Sequence, residues 1–228
     1  MSDDNLNNSS VENFKLLLEK YKSSTFKTES KPIKNNKSKS KPNKPIPDDL
    51  PPIPDLLNHS MKILFIGINP GVQSSQKGRH FGNPRNLFWP LLHQSGLVPT
   101  KLTCEDDEKL LEEHSFGFTN LSPRPTVGMD DLTKTELVEG VPVLKQKILE
   151  YKPQVCCFLG IQIYRYFISD MKKTIIPGFQ SDIFEGVENC KMFVTPSTSG
   201  RVVGYTREDR LKCMNELSTW VKENCTDD

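Results

Sequence analysis

Three short segments carry side chains whose types and spacing suit chemistry. The first is Gly67-Ile-Asn-Pro-Gly71. Its two glycines permit tight turns and close approach of a ligand. Pro70 fixes its own φ and biases Asn69 toward an extended backbone. The segment therefore presents one carboxamide, Asn69, on a rigid support. A carboxamide carries both a donor and an acceptor, so it can orient a water molecule, but it cannot remove a proton as a carboxylate does. The second segment is Lys77-Gly-Arg-His-Phe-Gly-Asn-Pro-Arg-Asn-Leu-Phe-Trp89. Cations, amides and rings interleaved in this way suit a pocket where a flat base stacks on an aromatic side chain. Phe81, between His80 and Gly82, is the stacking candidate, whereas Phe88 and Trp89 read as core of a following helix. The third segment, Thr195-Pro-Ser-Thr-Ser-Gly-Arg201, is small, polar and ends in a cation. Its backbone N–H groups and hydroxyls could meet phosphates, with Arg201 as a probe. Taken singly, the first and third segments also read as ordinary turns, an Asn-Pro strand ending and a Ser/Gly turn before a helix.

These segments need elements to position them. Residues 61–66 form an almost continuous apolar run ending at Gly67, which predicts a strand buried on both faces. Residues 154–159, ending at Gly160, and 191–195, ending at Pro196, predict two more. Helical patterns cover about 86–95, 105–114, 132–151 (with Pro142 as a potential interruption) and 161–169. A last helix starts at Thr206, with Asp209 as its capping-box acid and Leu211, Met214, Leu217 and Trp220/Val221 on one face. Alternating strands and helices predict an α/β fold, a three-layer α/β/α arrangement around a central, mostly parallel sheet. In such sheets ligands bind beyond the carboxyl ends of the strands, where the first and third segments lie. No G-x-G-x-x-G or G-K-[ST] fingerprint is present, which disfavours nucleoside triphosphate binding.

The chain has 228 residues and a formal net charge of +1. That balance hides an asymmetry. Residues 1–45 hold ten Lys against five acids, and residues 46–228 hold twenty Lys/Arg against twenty-four acids. Seven Lys from Lys27 to Lys44 and seven Pro from Pro32 to Pro54 mark a tail with too little apolar surface to offset its ordering entropy. Within it, Phe14, Leu17, Leu18 and Tyr21 follow a helical spacing over 11–21. The tail reads equally as a nuclear-import signal, a non-specific DNA arm or a solvated linker. The expected division is a disordered basic tail over 1–57, a folded domain over 58–224 and a C-terminal tail over 225–228. No stretch approaches the roughly 18 uncharged apolar residues that would span a membrane. The six cysteines form no C-x-x-C pair and none lies at zinc-finger spacing from a His, so no metal is expected and a reducing compartment fits best.

Read together, Gly67-Ile-Asn-Pro-Gly71, Lys77-Gly-x-His-Phe81, Asn86-x-Phe-Trp89, Gly117-Phe-Thr-Asn-Leu121, Arg124-Pro-Thr126 and Pro196-Ser-x-Ser-x-Arg201 resemble the mismatch-specific uracil-DNA glycosylase / thymine-DNA glycosylase family, over about residues 60–222. The resemblance implies the uracil-DNA glycosylase-like fold. It implies a monofunctional DNA glycosylase, a hydrolase that flips and excises uracil, with thymine or other damaged bases as further substrates, from G·U or G·T mispairs at the start of base-excision repair. A non-catalytic mismatch-binding module is the alternative. By resemblance, Asn69 positions the attacking water, the Ile68 backbone meets the base edge and Phe81 stacks on the extruded base. Ser75 and His80 fall where the pocket meets the 5-position of the base. Ser75 stands where thymine-active members often carry alanine, which weights the expected substrate toward uracil. Ser197, Thr198, Ser199, Gly200 and Arg201 form the loop that enters the duplex, with Arg201 filling the space that the base leaves. The implied partner is double-stranded DNA with a mispaired or damaged base, and protein partners would engage the N-terminal tail. A monomer with no cofactor, located in the nucleus and away from membranes, completes the expectation.

Overall fold

The computed structural model describes residues 50–225. The basic segment 1–49, with the helical spacing predicted over 11–21, and residues 226–228 lie outside the described residues.

Five strands build one sheet: β1 (Ile63–Gly67), β2 (Phe116–Asn120), β3 (Val155–Phe158), β4 (Gly178–Gln180) and β5 (Lys191–Val194). Their order is β2-β1-β3-β5-β4, with every pair parallel except β4 against β5. Six α-helices accompany them: α1 (Val72–Lys77), α2 (Phe88–Gln94), α3 (Asp107–His114), α4 (Lys134–Tyr151), α5 (Ile161–Phe167) and α6 (Arg207–Asn224).

Successive side chains of a strand point to opposite faces, and β1 is buried on both. Ile63 and Phe65 enter one core with Phe88, Trp89 and Leu92 of α2, Leu110 of α3, and Met214, Leu217 and Val221 of α6. Leu64 and Ile66 enter the other, with Leu137, Val141, Leu144 and Ile148 of α4 and Ile163, Tyr164 and Phe167 of α5. The architecture is thus the three-layer α/β/α sandwich with a mostly parallel sheet. Fully burying one such Phe or Leu contributes about 1.5–3 kcal/mol, so these two cores hold the layers together.

The three strands read from sequence are present, and two more appear. β2 has Gly117 at its centre, where a Cβ would stand 2.6 Å from the Leu56 carbonyl. This glycine lets residues 53–57 lie along the outer edge of β2, and Leu56 exchanges both backbone hydrogen bonds with Phe118, at 2.9 and 2.8 Å. Ile53 is buried there, and Asp55 takes the Thr119 hydroxyl at 2.8 Å and pairs with Lys147. Residues 50–57, assigned from sequence to the tail, therefore pack on the body and cover a sheet edge. Their proline content looks like linker, yet proline suits an edge-covering strip that needs few N–H donors. α4 runs unbroken through Pro142. The carbonyl that this proline leaves unpaired belongs to Val138, which is half-exposed and open to water. Thr206 and Asp209 form the expected capping box of α6, at 3.1 and 2.8 Å.

Candidate active site

The loop after β1 sets Asn69 at the carboxyl edge of the sheet. Its amide nitrogen lies 2.8 Å from the Arg124 carbonyl, 2.7 Å from Thr126 Oγ1 and 3.2 Å from the Pro70 carbonyl. A carbonyl only accepts, so nitrogen must face this cluster and the orientation of the carboxamide is settled by its partners. The Thr126 hydroxyl donates to the Gly128 carbonyl at 2.7 Å, and therefore accepts from Asn69. Both amide hydrogens are thereby engaged, and Oδ1 is the atom left to accept from a ligand or water. Ile68 is half-buried and its carbonyl takes the Ser122 N–H at 2.9 Å.

The segment that grips Asn69 is itself braced. Arg124 forms two bonds to Glu136, and its NH2 reaches the Asp131 carbonyl at 2.7 Å. Glu136 also closes the capping box of α4 with Thr133. Arg124, followed by the Thr133 cap, holds the Glu136 carboxyl down to about 2, so the brace is charged at any ordinary pH. A second carboxamide stands close by. The Asn120 oxygen is 2.5 Å from where a Cβ on Gly67 would be. Glycine at 67 is what lets the end of β2 present Asn120 beside the β1 loop.

The aromatic loop is placed by Asp107, which is buried and binds Arg79 NH1 at 2.7 Å and the His80 N–H at 2.9 Å. Phe81 takes a left-handed backbone, φ 52°, and its ring stacks on Phe88 with centroids 4.4 Å apart. A non-glycine residue held there marks a conformation imposed by its surroundings. Phe81 is half-buried, as a stacking platform requires.

Other predicted residues occupy different places. His80 is buried, its ring stacked on Phe118 at 4.9 Å and its Nε2 bonded to the Pro54 carbonyl at 3.0 Å. That carbonyl only accepts, so Nε2 carries the hydrogen, and burial holds the ring neutral by lowering its pKa. His80 thus supports the loop from behind. The Ser75 hydroxyl donates to the Pro51 carbonyl at 2.6 Å, toward the edge strip. Its neighbour Ser74 is the one that reaches the aromatic loop, accepting the Gly82 N–H at 2.8 Å. On a six-residue helix, adjacent side chains point about 100° apart, and the spacing alone did not decide between them. Lys77 pairs with Glu105 at 3.3 Å and lies 3.5 Å from Cys104 Sγ. The Glu105 bond, then Cys104, raises its pKa and keeps it a protonated, poor nucleophile.

The third loop leaves β5. Thr198 is buried, which withdraws its side chain from DNA, and its carbonyl accepts the Leu87 N–H at 2.9 Å. Ser197 Oγ and Ser199 Oγ accept the N–H groups of Ser199 and Arg201, both at 3.3 Å. Gly200 presses on residue 85, where a Cβ would stand 2.8 Å from the Arg85 carbonyl. Arg201 is exposed and its NH1 donates to the Val127 carbonyl at 2.7 Å. A cavity of about 470 Å3 opens between residues 83–86 and 199–201, with Gln73 on a third side. Arg85 and Arg201 border it and, among the described residues, no carboxylate does, which suits an anionic strand. Among the described residues, no three His, Cys, Asp or Glu side chains are grouped to hold a metal ion.

The structure thus brings Asn69 and Arg201 to the two sides of the 124–128 segment, while Phe81 stands on the rings of Phe88 and Phe118. It adds Asn120, Thr126 and Arg124, which lie in segments matched by resemblance but given no role there, and Arg210, a buried arginine of α6 that carried no sequence signal.

Comparison with known proteins follows the same lines. The chain is 36% identical over 160 residues to the G/U mismatch-specific uracil DNA glycosylase of Schizosaccharomyces pombe, covering 67% of this chain and 48% of that protein. The chain thus spans about half the length of this curated relative. A Methanosarcina acetivorans protein solved by solution NMR as a candidate uracil DNA glycosylase shares the fold, with a TM-score of 0.51 and 18% identity over 75% of this chain and 97% of that one. Residues 54–221 match the family model of the uracil DNA glycosylase superfamily, and it is to this superfamily that the chain belongs.

Proposed function

We propose that the protein is a monofunctional DNA glycosylase that excises uracil from G·U mispairs in double-stranded DNA. The observation that carries this reading is the fixed carboxamide of Asn69, with its nitrogen on Arg124 and Thr126 and its oxygen left as an acceptor. A water that donates to Oδ1 keeps a lone pair for C1′ of the extruded nucleotide. The new bond forms from the water oxygen to C1′ as the C1′–N1 bond breaks. The bonding pair leaves with uracil as an anion, and the spare proton of the water passes to solvent. Asn69 supplies geometry and no base, so rate enhancement comes from positioning and electrostatic stabilisation, and turnover is slow. A carboxamide also matches the edge of uracil, one donor and one acceptor against an N–H and a carbonyl, and Asn120 stands where it could read that edge.

Flipping a base costs a few kcal/mol and least at a mispair, which is the physical basis for preferring G·U, and after it G·T, over A·U. The protonated Lys77 supports base removal without strand cleavage by a Schiff base. The S. pombe relative, described as G/U mismatch-specific, points the same way.

The test uses labelled duplexes with G·U, G·T or A·U, alkaline cleavage of abasic sites, and Asn69→Ala beside the wild type. Product at G·U that falls about 100- to 1000-fold in the variant is the expected result, the scale for removing a key polar group. Tight mismatch binding with no product in any lane would instead make the protein a binding module.

A further inference from the structure

We propose that Arg210 is the positioning residue of the insertion loop, holding residues 197–206 in the shape from which Arg201 enters the duplex. This rests on the glycosylase reading for what the loop does, but not for what holds it.

Arg210 lies in the first turn of α6 and is 4% exposed. Its guanidinium spends its hydrogens on the loop that precedes the helix. Nε donates to the Ser197 carbonyl at 2.7 Å and NH2 to the Val202 carbonyl at 2.8 Å. NH1 donates to the Tyr205 carbonyl and, at 3.1 Å, to the Thr206 carbonyl. Ser197 and Val202 bracket the tip, so the first two bonds tie its two sides to one rigid group. Among the described residues Arg210 forms no ion pair.

This is an unfavourable place for a cation. Burial removes its hydration, and the N-terminal end of a helix carries partial positive charge. Packing alone would be served by leucine or methionine. What an arginine adds is a planar fork of five donors, which matches converging carbonyls as no other side chain does. Short turn bonds and the Leu87 bond to Thr198 hold the start of the loop, but its far side has little else: Gly204 has φ 103°, Val203 is 90% exposed, and among the described residues the Arg201 guanidinium reaches the Val127 carbonyl alone. By fixing the base of the loop before DNA arrives, Arg210 removes most of the ordering cost from the insertion step.

The test compares Arg210→Met, Arg210→Lys, Arg201→Ala and the Arg201→Ala/Arg210→Met double variant. Two readouts are taken: single-turnover excision from a G·U duplex, and amide hydrogen exchange across the chain. Arg210→Met should lower the duplex rate roughly 10- to 100-fold, the scale of a misplaced positioning group. Exchange should rise in 197–206 and stay unchanged in β1, β3 and β5. Arg210→Lys keeps the charge but not the fork, and should recover only part of the rate. In the Arg201→Ala background the same change should cost less than about 3-fold, because the side chain it positions is gone. A fully additive loss in the double variant, or loosening spread through the strands, would make Arg210 a plain structural residue and overturn the proposal. So would an unchanged rate. Should the Met variant fail to fold, Arg210→Lys alone and with Arg201→Ala carries the same comparison. Should the wild type cleave no duplex, the glycosylase reading fails by itself. Exchange in 197–206 and affinity for a duplex with an abasic site, expected to weaken about 10-fold in Arg210→Met, then decide the role of Arg210.

Discussion

Asn69 and Arg201 sit on loops that leave parallel strands of one sheet, yet they are held in opposite ways. Asn69 follows Ile68, precedes Pro70 and has its amide nitrogen set against two carbonyls and a hydroxyl. The segment supplying two of these acceptors, the Arg124 carbonyl and the Thr126 hydroxyl, is fastened to α4 by Arg124 and Glu136. Arg201 is exposed, and a single bond to the Val127 carbonyl holds its guanidinium. Its loop is gripped at the base by Arg210 and left open at the tip, where Val203 stands in solvent. An acceptor that aims a water must stay still, since a misplacement near 1 Å costs about 100-fold. A probe that fills a vacated base site must leave its resting contact and travel. Under the proposed function, the difference between a clamped side chain and a clamped base with a free tip is the difference between a chemical and a mechanical task. The two loops also meet: Val127, which receives Arg201, lies between Thr126 and Gly128, the residues that continue the hydrogen-bond chain from Asn69.

That contrast can be broken or sharpened by experiment. After the loss expected at Asn69, the largest effect is expected for Arg201→Ala. It should lower excision from a G·U duplex roughly 100-fold while lowering excision of uracil from single-stranded DNA less than about 5-fold, because only the duplex needs a base extruded. Equal losses on the two substrates would show that Arg201 serves chemistry as well as insertion. Thr126→Val comes next. It preserves shape but removes the acceptor that Asn69 uses, and should cost about 10-fold on both substrates alike. A loss confined to duplex would mean that the 124–128 segment serves the probe rather than the amide. The smallest effect concerns the support behind Phe81. Burial lowers the pKa of His80, so the folded protein binds fewer protons there than the unfolded chain. The stability it contributes is complete above the ordinary value of 6.5 and is lost as the pH falls below it. Melting temperatures at pH 7.5 and about 5.5 should therefore differ more for the wild type than for His80→Gln, which can still donate to the Pro54 carbonyl. Parallel curves for the two proteins would remove this account of His80.

The legible parts of the chain were those where neighbouring residues in sequence do the work. β1, β3 and β5 are apolar runs ending at a glycine or a proline, and each appears within two residues of its predicted bounds. The capping box at Thr206 and Asp209 is written in four consecutive residues. β2 and β4 were not legible, because Gly117 and Gly178 interrupt their apolar pattern for reasons that lie elsewhere in the fold. Gly117 makes room for the strip at Leu56, and Gly178 has φ 122° with the Glu216 carboxylate 3.1 Å from its absent Cβ.

The site divides in the same manner. Asn69, Phe81 and Arg201 could be singled out because a carboxamide, a ring and a cation stand in short segments of unusual composition, beside strand ends that local periodicity reveals. What these side chains can donate, accept or stack upon is a property of the residue itself. Which of them are free to do so depends on partners 24 to 111 positions away. Pro51 takes the Ser75 hydroxyl, Pro54 and Phe118 enclose His80, and the Leu87 N–H holds the carbonyl of the buried Thr198. Arg124 and Thr126 fix the face that Asn69 presents. Sequence by itself determined the chemical repertoire and the layered α/β frame, since both follow from residue type and local spacing. Only the tertiary structure decided which atoms of that repertoire remain unsatisfied, because hydrogen-bond capacity is consumed by whatever the fold brings within about 3 Å.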